Sequence, residues 1–208
     1  VATRWICFEH LELASGPSWP TPLAALIERS GGLGFDVVIV GGLVHEAQQL
    51  DTLAALGAVA SSAAVRIGAL GALGDGRPAS MMARETTTLD HLSLGGAALL
   101  VRCADPMRLA QGAAVITSLF TQDRATAGGA LEHVQDAPNN PRPATRGGPP
   151  LMTWDLGTGT GQLLSAGERS DAAIIMVETL EQAAREPAPP SSLTVVSGQI
   201  TLGEPSEG

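Results

Sequence analysis

The stretch Asp155–Gly161, DLGTGTG, is the densest set of anion-binding features in the chain. Glycines alternate with threonines directly after an apolar run, LMTW. Glycine lets backbone approach a ligand closely, and the free N–H groups at a helix start point toward an anion. With a helix read over 161–169, the backbone of Gly157, Thr158, Gly159, Thr160 and Gly161 would cradle a phosphate. The hydroxyls of Thr158 and Thr160 would add donors. A glycine turn that binds nothing is the plain alternative.

Histidine is the next candidate, because its ordinary pKa suits proton transfer near neutrality. His10 follows the first apolar run. His45 sits just past Gly41-Gly42, at the end of FDVVIVGG. Each is a candidate proton carrier, and an exposed loop histidine is the plain alternative for His45. His91 suits capping or packing at a helix C-terminus. His133 lies in a polar stretch and carries little signal. Arg102 ends the run AALLVR and can contact a phosphate or form a structural salt bridge.

The composition excludes other chemistry. All 12 cations are arginine and tyrosine is absent. Schiff-base lysines, a P-loop lysine and tyrosine general acids therefore fall away. The two cysteines, Cys7 and Cys103, lie far apart in apolar runs with no Cys/His cluster, so no metal site is expected and both read as buried reduced thiols. A net charge of −9 opposes a nucleic-acid surface. No apolar run approaches the ~18 residues of a membrane span. Val1–Glu9 has no basic region leading into an apolar run, and a cytoplasmic location is expected.

The elements that position these residues alternate. Strands are expected at 3–9, 35–40, 65–70 and 97–103. Amphipathic helices fit between and after them, at 22–30, from Asp51 or Thr52 to 63, from Pro78 to 91, and at 106–120 with Asp105 as cap. Strands separated by helices imply parallel pairing through right-handed crossovers. Residues 121–150, rich in Gly, Pro and Asn, read as an irregular, mobile surface excursion, alternatively a substrate lid. The pattern resumes with a strand at 151–156, the helix at 161–169, a strand at 172–177, a helix capped by Thr179, and a strand at 193–197. Pro187-Ala-Pro-Pro breaks the chain, and the tail 203–208 should fray.

The segment 51–93, ending RETTTLDHLS, resembles the bacterial luciferase-like monooxygenase superfamily. So do GFDVVIVGG at 34–42 and the segment 154–186. The long excursion is most similar to the nitrilotriacetate monooxygenase branch. The resemblance implies a single domain over 1–208 with a TIM-barrel-like (β/α)8 fold, incomplete here, with about seven parallel strands. It implies FMN or F420 at the C-terminal strand ends, with the phosphate on Gly157–Gly161. The ring would lie near His10, Gly41 and Gly42, with His45 or Arg102 at its reactive edge.

The expected function is a flavin- or F420-dependent oxidoreductase or monooxygenase acting on a small organic substrate. This sequence departs from the family pattern after TLDHLS, where Ala97 replaces an arginine and VRCA replaces a glycine-rich strand end. A non-catalytic, truncated relative that binds a flavin-like ligand or a protein partner is therefore the alternative. The open edge of an incomplete barrel would call for a homodimer or an obligate partner. DLGTGTG with Glu178 also resembles the cofactor motif of S-adenosylmethionine-dependent methyltransferases, a minor third reading.

Overall fold

The structure, a computed structural model, describes residues 3–13, 20–45, 48–165, 168–185, 192–198 and 200–202. Its first half alternates strands and helices: β1 Arg4–Leu13, α1 Pro20–Gly32, β2 Val37–His45, β3 Gln48–Leu50, α2 Thr52–Val59, β4 Arg66–Ala72, α3 Ala79–Leu92, β5 Ala97–Cys103 and α4 Pro106–Thr121. Then follow β6 Arg124–Gly128, β7 His133–Pro138, β8 Leu151–Asp155, β9 Thr160–Ser165, β10 Glu168–Val177, α5 Leu180–Arg185, β11 Ser192–Val196 and β12 Ile200–Leu202. The fraying tail and the proline break at 187–190 lie outside the described residues.

Eight strands close a barrel in the order β1-β2-β4-β5-β8-β9-β10-β11, with β11 returning to β1. Seven of them run parallel, as the alternation implies. The eighth, β9, runs antiparallel to both β8 and β10. The expected helix at 161–169 is therefore a strand and the start of the next. Gly161 and Leu163 are buried while Gln162 is exposed, a two-residue period that only the barrel wall reveals. This strand closes the ring, so the open edge that motivated a dimer does not exist.

The lumen is filled by Trp5, Cys7, Val37, Ile39, Ala98, Leu100, Met152, Trp154, Leu163, Ala172, Leu193 and Val195. Alternate residues of the same strands, such as Ile6, Phe8, Val38, Val40 and Ile67, face outward and pack with Leu23, Ile27, Leu56 and Leu89 of α1, α2 and α3. Gly68 is required where β4 meets β5, because a Cβ there would lie 2.0 Å from Ala98 O. Leu11 and Leu43 join the outer cluster although they share the parity of Trp5 and Val37. The inward–outward alternation thus slips as β1 and β2 leave the barrel to pair with β12 and β3.

Caps account for the helix starts. Asp51 accepts from Leu53 N at 2.9 Å and Ala54 N at 3.0 Å. Asp105 accepts from Met107 N at 2.9 Å and Arg108 N at 3.1 Å, with Pro106 at the first helical position. The TLDHLS motif has a structural task. Asp90, fully buried, accepts from Thr145 N at 2.7 Å, Thr145 Oγ1 at 2.8 Å and Ala97 N at 3.3 Å. It ties α3 to the start of β5 and to the loop before β8. His91 Nε2 lies 2.7 Å from Arg142 O.

The excursion is more regular than its composition suggests. The strands β6 and β7 form a hairpin on α4. Its Glu132 accepts from Ala79 N at 3.2 Å, and Arg108 Nη1 lies 3.3 Å from the same carboxylate. Asn139, buried, donates to Thr87 Oγ1 at 2.9 Å and Leu119 O at 3.1 Å. Polar residues that read as loop composition are here anchors to helices. The hairpin lies along α3 and α4 on the outside of the barrel, with Glu132 at its tip held at the starts of both helices.

Candidate active site at the C-terminal mouth

In a parallel barrel the strand ends and the loops after them gather side chains from several strands at one mouth. Here β1 contributes Glu9 and His10, β2 contributes Gly41 and Gly42, β5 contributes Arg102 and β8 contributes Trp154. Arg102 points into the lumen and forms an ion pair with Glu9 across it. Its guanidinium carbon stands 5.9 Å from the Trp154 ring centroid. The side chains of Arg102 and Glu9 are 27% and 14% exposed, so the pair forms a floor that solvent still reaches. Of the two roles open to Arg102 in the sequence, the salt bridge is the one formed.

One layer below the pair, Cys7 is wholly buried, and burial pushes its thiol far above the ordinary range. The negative charge of Glu9 adds to that shift, and Arg102 opposes it. Cys103 is also buried, with Sγ 3.4 Å from Leu73 O.

The glycines divide. Gly41 serves the approach of β2 to β1, since a Cβ would lie 2.5 Å from Glu9 O. At Gly42 a Cβ would lie 3.4 Å from His10 Nδ1, which places His10, exposed, beside Gly42 on the rim. His45 ends β2 in register with Leu13 and Gln48, beyond the barrel proper. The placement of its side chain lies outside the described residues, so its proposed role has no geometry here.

The glycine loop needs a correction. No helix begins at Gly161. Leu156–Gly159 is the turn of the β8–β9 hairpin, and Gly159 has φ +69°, which glycine adopts freely. Its N–H groups are already used: Asp155 Oδ1 accepts from Gly157 N at 2.8 Å and Thr158 N at 3.3 Å. Asp155 O accepts from Gly159 N at 2.8 Å. The Thr158 and Thr160 hydroxyls bond each other at 2.7 Å. Gly161 is held tight against β10, where a Cβ would meet Ile174 Cδ1 at 2.8 Å. The position where a phosphate oxygen was expected is held by the chain's own carboxylate. The same observations remove the methyltransferase reading, which needs this loop to open a helix in an open sheet.

Sequence reasoning missed Glu9 and Trp154. Their one signal was parity: both share the inward register of Arg102 if the strands are placed in one barrel. Among the described residues a hollow of about 1040 Å³ opens at the opposite mouth between Trp5, Asp36, Arg66, Arg146 and Glu168. It lies at the N-terminal strand ends, the face that in barrels of this kind serves stability rather than chemistry.

No family model matches the chain. No curated protein matches it either. Among solved structures it is similar to the coenzyme F420-dependent tetrahydromethanopterin reductase from Methanopyrus kandleri, with 15% identity and a TM-score of 0.53 over 69% of this chain and 49% of that one. It is also similar to the monooxygenase RslO1 from Streptomyces bottropensis, with 18% identity and a TM-score of 0.50 over 68% of this chain and 52% of that one. The chain therefore spans about half the length of either structure. What they share with this chain is the fold, a TIM barrel. Neither bears on the nitrilotriacetate monooxygenase branch.

Proposed function

We propose that this luciferase-like barrel is an oxidoreductase that takes a flavin- or F420-type ring at its C-terminal mouth and acts on a small organic substrate. The observation that carries the reading is Arg102, partly exposed on the mouth's floor against Trp154. It lies in a fold shared with an F420-dependent reductase and a monooxygenase. The donor set fits the ring end of such a group. The guanidinium offers N–H donors to a polar ring edge, and the indole offers an apolar flank. The glycine turn does not fit the phosphate end, because Asp155 occupies its donors.

A bound ring of this kind supplies the electrons. The chain's residues do the rest. Arg102 would hold the polar edge of the ring, and Trp154 would keep water from it. His10 on the rim can give or take a proton. The exposed Met107, Leu156 and Met176 at the strand and helix ends border the mouth with apolar surface suited to an organic substrate. We keep a homodimer within this proposal on a new basis. With a hairpin in place of a helix, hollows of about 230 and 410 Å³ lie bare between α4 and β9.

The test is a titration of the purified chain with FMN, with F420 and with riboflavin, followed by absorption and fluorescence. A perturbed ring spectrum, weakened about tenfold by Arg102→Gln, is expected, which is about 1.4 kcal/mol. No perturbation by any of the three would overturn the reading. One observation favours a second reading, a non-catalytic barrel for a flavin-like ligand or a protein partner. Glu9 already neutralises the cation at the mouth. Ring binding without any turnover of electron donors would support that second reading.

A further inference from the structure

We infer that this mouth recognises its ligand by the ring and not by a phosphate, and that Asp155 is a specificity-determining residue that disfavours phosphate esters. The inference rests on the ring-binding reading and deepens it. Barrels that bind phosphorylated groups at this face do so with unpaired N–H groups and free cations. Among the described residues, carboxylates hold four of those positions, and at the start of α5 the Gln182 amide oxygen and the Thr179 hydroxyl take the N–H groups. Asp155 takes two N–H groups of the β8–β9 turn. Asp105 takes two at the start of α4, and Asp51 two at the start of α2. Glu132 takes Ala79 N at the start of α3.

The arginines at the end of β5 and after β4 and β5 each face a carboxylate, which cancels their charge toward an anion while leaving guanidinium N–H groups for a neutral ring edge. Arg77 pairs with Glu85, Arg102 with Glu9, and Arg108 with Glu132. A phosphate arriving at this rim would have to displace a carboxylate already in place, and it would meet that carboxylate's charge. An uncharged ring, such as the flavin nucleus without its phosphate, meets neither obstacle. Asp155 is joined to the floor through the backbone of β8. It follows Trp154 directly and aligns with Cys103, the neighbour of Arg102.

The experiment compares riboflavin with FMN on the same protein at low ionic strength, where repulsion is least screened. Affinities within tenfold of each other, or tighter for riboflavin, are expected. Asp155→Asn keeps the acceptor oxygen and removes the charge, and it should tighten FMN relative to riboflavin by fivefold or more. FMN binding more than tenfold tighter than riboflavin to the unmutated chain would overturn this inference while leaving the ring reading intact. Binding of neither would overturn both. If Asp155→Asn does not fold, as judged by its thermal unfolding, the ratio measured on the unmutated protein decides alone.

Discussion

Glu9 and Arg102 meet across the barrel lumen although three neighbour-to-neighbour steps, β1 to β2 to β4 to β5, separate their strands around the wall. The pair gives the C-terminal mouth of the barrel a charged floor. A partly desolvated pair costs free energy to assemble, and breaking one side leaves the other charge stranded. Arg102→Gln should therefore lower the unfolding free energy by about 2 kcal/mol, less than the ~3–5 of a fully buried pair because both groups touch water. The double variant Glu9→Gln/Arg102→Gln should lose less than the sum of the singles. Urea unfolding of all four proteins measures this, and simple additivity would show that the two do not interact.

Asp90 predicts a larger loss. Its carboxylate, fully buried, collects three hydrogen bonds from Thr145 and Ala97. Asp90→Ala leaves those donors unpaired in the interior, at about 2–4 kcal/mol. Amide exchange should accelerate first at Thr145 and Ala97. Unchanged protection at both would contradict the anchoring role.

Both thiols should be silent in the folded protein. Cys7 is held in its protonated form by burial and by Glu9, and Cys103 is shielded by packing. Ellman's reagent should label neither until denaturant is added, and then both. Labelling of Cys7 under native conditions would mean that the lumen opens.

The excursion hairpin carries a pH response. Hydrogen bonds from Arg124, helped by its charge and opposed by desolvation, hold the Asp136 carboxyl below its ordinary value. A depressed carboxyl contributes stability that is fully present above the unfolded value, about 3.9, and is lost as pH falls through the lowered folded value. Hairpin amides followed by NMR should stay ordered at neutral pH and loosen only in that acidic window. With Arg124→Gln, the Asp136 titration should move up toward the ordinary carboxylate value. A titration that does not move would remove Arg124 as the cause.

Gly68→Ala tests barrel closure. The added Cβ would stand 2.0 Å from Ala98 O, a backbone atom that cannot step aside. Destabilisation by about 3 kcal/mol or failure to fold is expected, at the upper end of overpacking effects. A variant with unchanged thermal stability would show that β4 and β5 have slack.

What the sequence alone determined is local or periodic. Buried parallel strands such as FDVVIV and AALLV announce themselves by β-branched and apolar runs, and the parallel order of β1, β2, β4 and β5 follows from their alternation with helices. Asp105 and Thr179 are legible as caps because capping acts over two or three residues, and each caps as read, while of the pair Asp51 or Thr52 the structure selects Asp51. Arg102 and His10 stand at the mouth because strand ends in a barrel must.

Tertiary structure alone decided what depends on partners distant in sequence. The segment 160–165 carries glycine and leucine in a spacing that suits helix or strand, and pairing with β8 on one side and β10 on the other makes it a strand. That choice also turned DLGTGTG from a helix-opening cradle into a hairpin turn. The Asp155 carboxylate lies two residues from Gly157, yet its hold on the turn becomes visible only when the backbone curls around it. Glu9 lies 93 residues from Arg102, so no local pattern could join them. The closed wall brings them together because alternate residues of every strand must share one lumen.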